Sequence, residues 1–83
     1  MNWMLVPIDR SKGIVEHHAL RVEERTVARV ECSASEGWWL TVINPRNVVQ
    51  RELIHDCSLT DAKMAARKLL LDNGWTAEQL RGV

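Results

Sequence analysis

Tyrosine and phenylalanine are absent from this sequence, and its four aromatic residues are all tryptophan. Glycine is scarce: four residues, none clustered, so no glycine-rich loop is present to cradle a phosphate through its backbone amides. Two cysteines, Cys32 and Cys57, are too few for a disulfide scaffold. The N-terminus has no basic region followed by an apolar stretch, so no signal peptide is expected and a reducing, cytoplasmic setting is. No apolar run approaches the roughly 20 residues that a membrane-spanning helix needs. Charge excess is missing too: eleven Lys plus Arg stand against eleven Asp plus Glu. Proteins that hold nucleic acid through bulk charge are usually strongly basic, so that class starts at a disadvantage. The motifs G-x-S-x-G and H-E-x-x-H, which place a nucleophile or a zinc ion, do not occur.

What is present suits one small folded domain spanning residues 1–83. Hydrophobic residues make up 46% and charged residues 27%, a balance that folds instead of remaining disordered. A chain of this size buries only about 60% of the surface its unfolded form exposes, so its core is small. The apolar start Trp3-Met4-Leu5-Val6 reads as a short edge strand that Pro7 ends, with a loop through Gly13. From Leu20 onward the even positions read Leu20, Val22, Glu24, Thr26, Ala28, Val30 and Cys32, and the odd ones Arg21, Glu23, Arg25, Val27, Arg29 and Glu31, a period of two. Period two and β-branched residues favour strands over a helix across residues 14–33, with Glu23-Glu24-Arg25-Thr26 as the turn. Ser33–Gly37 is a hairpin loop, Trp38–Ile43 a strand, Asn44–Asn47 a tight turn, and Val48–His55 the returning strand.

The helix is the element written most clearly. Ser58, with Asp61 three positions later, supplies an N-cap, and Asn73-Gly74 supplies the stop, which predicts a helix over Leu59–Asp72. Thr76-Ala77-Glu78-Gln79 is a second capping signal for a terminal helical turn to about Arg81. Short loops force antiparallel pairing. The expected fold is therefore α+β: an antiparallel sheet of about four strands with one main C-terminal helix packed on one face.

Two surfaces are apolar beyond what that fold consumes. On the helix, Leu59, Ala62, Ala65, Ala66, Leu69 and Leu70 share one side, while Met64 and Leu71 lie opposite, flanked by Arg67 and Lys68. On the sheet, Trp38, Leu40 and Val42 point one way and Trp39, Thr41 and Ile43 the other, and a single helix covers only one face. The second cover is the Trp3–Leu5 segment, a second copy of the chain, or another protein. Tryptophan, arginine and methionine are enriched where protein surfaces meet. The residues expected to touch a partner are Trp38, Trp39 and Ile43 on the sheet, Met64 and Leu71 on the helix, and Arg46, Arg51 and Arg67 at the rim.

The chemistry-bearing residues are His17, His18, His55, Cys32, Cys57, Glu52 and Asp56. His55-x-Cys57 is spaced for one strand face and not for a zinc knuckle, which favours half-buried cysteines and surface histidines over a metal site. In His55-Asp56-Cys57 the middle residue points away from its neighbours, and Asp56 is better used for entry into the helix. No catalytic residue, metal, cofactor or small-molecule substrate is expected. Arg21, Arg25 and Arg29, with Arg46 and Arg51, form with Trp39 a potential single-strand nucleic-acid platform. Glu23, Glu31 and Glu52 are interleaved with them, and alternating signs favour cross-strand ion pairs on a solvated face.

The C-terminal half carries one resemblance. Gly37-Trp38-Trp39, a strand, a turn and a strand, then Ser58-Leu59-x-Asp61-Ala62-Lys63-x-x-Ala66 and Leu69-Leu70 closing on Gly74-Trp75, resembles small phage- and prophage-encoded α+β proteins. Some of those inhibit host defence, anti-CRISPR proteins among them. The resemblance spans about residues 37–75 and is fold grammar without a catalytic motif. It implies a stoichiometric binder that docks on a host protein complex or on its own copy, with no cofactor and no membrane.

Overall fold

Two glutamates make the first tight reversal of the chain. Residues Ile14–Val22 (β2) and Arg25–Ser33 (β3) pair antiparallel, and Val22 opposite Arg25 closes a loop of only Glu23 and Glu24. Both turn residues have positive φ, 52° and 65°, as a type I′ turn requires. The Arg21 guanidinium donates to the Glu24 carbonyl at 2.5 Å and braces the loop. The expected four-residue turn is thus two residues long, and Arg25 and Thr26 belong to β3.

The computed structural model describes residues 3–8, 10–55 and 57–81. The remaining strands are β1 (Trp3–Leu5), β4 (Gly37–Ile43) and β5 (Val49–Ile54). The sheet runs in sequence order, β1-β2-β3-β4-β5, every pair antiparallel. Five strands stand where about four were expected, because the short apolar start is a full member of the sheet. Asp56, the expected helix-entry residue, lies outside the described residues.

A bulge in β3 decides which side chains see which layer. Leu20 faces Ala28, but the next residue, Arg21, faces Thr26, so Val27 is the extra residue. Val27 and Ala28 are both buried in the core, and Thr26 turns to the opposite face with Arg21. A second irregularity leaves Val15 between the Ile14–Ser33 and Glu16–Cys32 pairs, and Val15 is exposed.

Helix α1 (Leu59–Asp72) matches its signals residue by residue. The Ser58 hydroxyl accepts from the Asp61 amide at 3.2 Å, and the Asp61 carboxylate accepts from the Ser58 amide at 3.3 Å. At the far end Gly74 adopts φ 107°, and the Trp75 amide donates to the Leu70 carbonyl at 3.1 Å. Thr76 and Gln79 cap α2 (Ala77–Arg81) in the same reciprocal way.

Helix α1 lies across β3 and β4. Its buried stripe is Ala62, Ala66 and Leu70, and two alanines let the helix axis approach the sheet closely. Against it stand Leu20, Val22, Val27, Val30, Leu40 and Val42, with Trp75 and Leu80 extending the core beyond the helix end. Both buried indoles satisfy their N–H: Trp38 donates to the Cys57 carbonyl at 3.1 Å, and Trp75 to the Ile43 carbonyl at 2.8 Å. No described helix is long and apolar enough to cross a membrane.

Candidate functional site

Directly opposed residues in an antiparallel sheet share a face, so the register sorts the side chains. Toward α1 point Trp3 from β1, Leu20 from β2, Ala28 and Val30 from β3, and Trp38, Leu40 and Val42 from β4. The other face holds Met4 from β1; His17, Ala19 and Arg21 from β2; Thr26, Arg29 and Glu31 from β3. It continues with Trp39, Thr41 and Ile43 from β4, and Val49, Arg51 and Leu53 from β5. Both described α-helices follow β5 in the chain, a single 3-10 turn (Arg10–Lys12) precedes β2, and the long helix is committed to the first face. The second face has no covering layer among the described residues.

The Trp3–Leu5 segment is not the missing cover for Trp39. It forms the edge strand farthest from β5, with β2 and β3 between it and β4. Trp3 pairs with Leu20 and packs against the core from the helix side, with the Lys63 ammonium 5.7 Å from its ring centroid. Trp39 stays half-buried on the open face, flanked by Glu31 and Leu53 on the neighbouring strands. The Arg51 guanidinium lies over its ring, 4.6 Å from the centroid.

The expected contact residues separate into two groups. Trp39, Ile43 and Arg51 come together on the open face. Trp38 faces α1, is 7% exposed and belongs to the core, so its surface is spent within the chain. Met64 projects from α1 and is 66% exposed. Leu71 is half-buried against the core cluster, which reduces the outer helix stripe to one methionine. Arg46 is exposed on the β4–β5 loop and Arg67 is half-buried on α1, so neither borders the Trp39 cluster as a strand neighbour.

Charge on the open face differs from the alternation in the sequence. Arg25 lies on the helix side, over Trp75 at 5.6 Å, and donates to the Asn44 carbonyl and the Asn47 side chain. Glu23 sits in the turn, and Glu52 pairs with Leu40 on the helix side. Of the three interleaved glutamates, Glu31 alone faces Arg21, Arg29 and Arg51. Among the described residues the close contact between a basic side chain and a carboxylate is the His18–Glu16 hydrogen bond at 2.6 Å, and the expected cross-strand Arg–Glu pairs are not formed. Three arginines against one glutamate leave this face two positive charges in excess. The rest of an electrically neutral chain is correspondingly negative.

The reactive residues lie elsewhere or are disarmed. Glu16, His18 and Cys32 share the helix side where β2 and β3 begin and end, a grouping that the sequence spacing did not reveal. Burial pushes the Cys32 thiol up, with the Glu16 carboxylate adding to it, so the thiolate needed for nucleophilic attack is disfavoured. His55 is exposed at the end of β5, and Cys57 is half-buried beneath Trp38. No group of three His, Cys, Asp or Glu side chains among the described residues is placed to hold a metal ion. His17 faces the open side, its Nε2 buried without a hydrogen-bond partner. Burial holds its pKa below the ordinary histidine value; Glu31 opposes that shift, and Arg29 and His18 reinforce it.

Comparison with known proteins brings no match from any protein-family model, curated protein or solved structure.

Proposed function

We propose that this chain is a non-enzymatic protein-binding module that docks stoichiometrically through its open sheet face. One observation carries the reading: the face joins half-buried Trp39, Ile43 and Leu53 to three arginines that lack carboxylate partners, with no layer above them among the described residues. Tryptophan and aliphatic side chains on β4 and β5 beside arginines on β2, β3 and β5 are residue types enriched where protein surfaces meet. The resemblance to small phage- and prophage-encoded inhibitors implies the same mode of action. A two-fold homodimer through this face is disfavoured, since it sets three arginines against three. A homodimer through the edge of β5, with faces aligned and centred on the strand, sets either Arg51 or Glu52 against its own copy.

The test is a complex reconstituted from purified chain and purified partner. Trp39→Ala is expected to weaken association at least about 30-fold, about 2 kcal/mol, while Met64→Ala leaves it nearly unchanged. The reverse ranking moves the contact to the helix and ends the reading.

Single-strand nucleic-acid binding is the second reading, favoured by Arg21, Arg29 and Arg51 sharing a face with Trp39. Such proteins stack successive bases on exposed aromatic rings. Here Trp39 is the one aromatic residue on the open face, and Arg51 already lies over it. Oligonucleotide affinity that falls steeply with salt establishes this second reading, and a weak, flat response removes it.

A further inference from the structure

The open face is not flat. Between β1 and the middle of β3 it sinks into a cleft of about 320 Å³. Its lining includes Met4 and Pro7 from the β1 side, His17, Ala19 and Arg21 from β2, and Arg29 from β3, so Ala19 lies between Met4 and Arg29 with Arg21 two residues along its own strand. Depth comes from Ala19, whose neighbours across the strands are the much longer Met4 and Arg29. Arg29 is bracketed across the sheet by Ala19 and Thr41, and Arg21 by Thr26, so neither faces a carboxylate across a strand.

Resting on the docking reading above, we propose that this cleft takes an acidic protein segment whose aliphatic side chain enters between Met4 and Ala19. Flanking carboxylates of that segment then meet Arg21 and Arg29. The chemistry is matched on both counts. Methionine, proline and alanine offer no hydrogen bond that an apolar anchor would break. Burial favours the neutral form of His17 beneath them, so an aliphatic group need not lie against a full imidazolium charge. Neither guanidinium has an ion-pair partner among the described residues: Arg29 presents its donor fork to a carboxylate, and Arg21, which spends one N–H on the Glu24 carbonyl, keeps its remaining donors. A second copy packed face to face is a poor occupant because it brings the same arginines. A nucleic-acid strand leaves the apolar wall unused.

The experiment is a titration of the isotope-labelled full chain, followed amide by amide, with four defined probes. The peptide Asp-Glu-Leu-Asp-Glu, blocked at both ends, is expected to shift the amides of Met4, Ala19, Thr26 and Arg29. Its amide counterpart Asn-Gln-Leu-Asn-Gln should bind roughly fivefold more weakly, from the loss of exposed ion pairs. Replacing its leucine with glycine should cost roughly tenfold, from the loss of the buried anchor. The fourth probe is a thymidine oligonucleotide. The double variant Arg21→Glu with Arg29→Glu, both at exposed positions, should abolish the preference for the acidic peptide; Lys68→Glu, exposed on α1 away from this face, should keep it.

Equal binding of the acidic and amide peptides, or of the leucine and glycine peptides, overturns the proposal. Shifts centred on Thr41 and Ile43 would leave the docking face standing and refute the cleft. Tighter binding of the oligonucleotide than of any peptide would refute the cleft and the protein-docking reading together.

Discussion

Two neighbouring tryptophans offer a direct test of the layer assignment, because they sit on opposite faces of one strand. Trp38 is 7% exposed, lies in the core and donates to the Cys57 carbonyl. Its replacement by alanine leaves a cavity beneath α1 and should cost about 3–5 kcal/mol. Trp39 has Arg51 over its ring and Glu31 and Leu53 beside it, but no layer above. Losing an exposed cation–π contact and the cross-strand packing should cost about 1–2 kcal/mol. Urea denaturation followed by far-ultraviolet circular dichroism separates the two. With a slope of about 1 kcal/mol per molar urea, Trp39→Ala moves the midpoint by roughly 1–2 M. Domains of this length are stable by roughly 4–12 kcal/mol, so Trp38→Ala removes a large part of the total. Equal destabilisation by the two substitutions would mean that Trp39 is also enclosed, and the open face would cease to exist.

Three further outcomes follow from the backbone and from His17. A Cβ at Gly37 would stand 2.6 Å from the Ile54 carbonyl oxygen at a φ of 121°, so Gly37→Ala should cost about 2–4 kcal/mol and speed amide exchange in β5; an unchanged midpoint refutes the close approach. Glu23→Asn with Glu24→Gly supplies the residues that a turn with two positive φ values prefers, and should add about 1 kcal/mol, seen as a rise of roughly 4–8 °C in Tm. Burial depresses the His17 pKa in the fold, so the unfolded chain takes up a proton first as pH falls and the fold loses stability below about pH 6.5. The drop in Tm between about pH 7.5 and about pH 5.5 should therefore be smaller in His17→Gln than in the unmodified chain; an equal drop refutes the assignment.

Local signals were legible and non-local ones were not. Helix α1 could be read to the residue because its start and stop are carried by Ser58, Asp61, Asn73 and Gly74, all within a turn of the ends they make. The strands from Gly37 to Ile54 could be read because β-formers lie between unambiguous turn residues. The turn at Glu23–Glu24 could be placed only loosely. Nothing in two glutamates announces positive φ, and the pairing of two nine-residue strands imposes it. The bulge at Val27 has no sequence signature either. A strict period of two groups Thr26 with Ala28 and Val30, whereas the extra residue sends Val27 into the core and Thr26 to the open side.

That one-residue slip also explains why the candidate site was only half legible. Arg21, Arg25 and Arg29 share a parity in the sequence, and the intervening glutamates promise them partners. Across the bulge Arg25 changes sides, where Trp75, Asn44 and Asn47 hold it in the core-side corner. Glu23 is taken by the turn, and Glu52 falls on the helix side because it pairs with Leu40. The arginines left behind are thus short of acid for a topological reason that composition cannot register: the neutral total is divided between two faces. Repairing that imbalance within the chain would need a carboxylate at Ala19 or Thr41, the positions across from Arg29, and neither position carries one. With no ion pair to break among the described residues, these three guanidiniums would exchange water for carboxylate without that cost, which is the condition under which the acidic partner proposed above would gain most from this face.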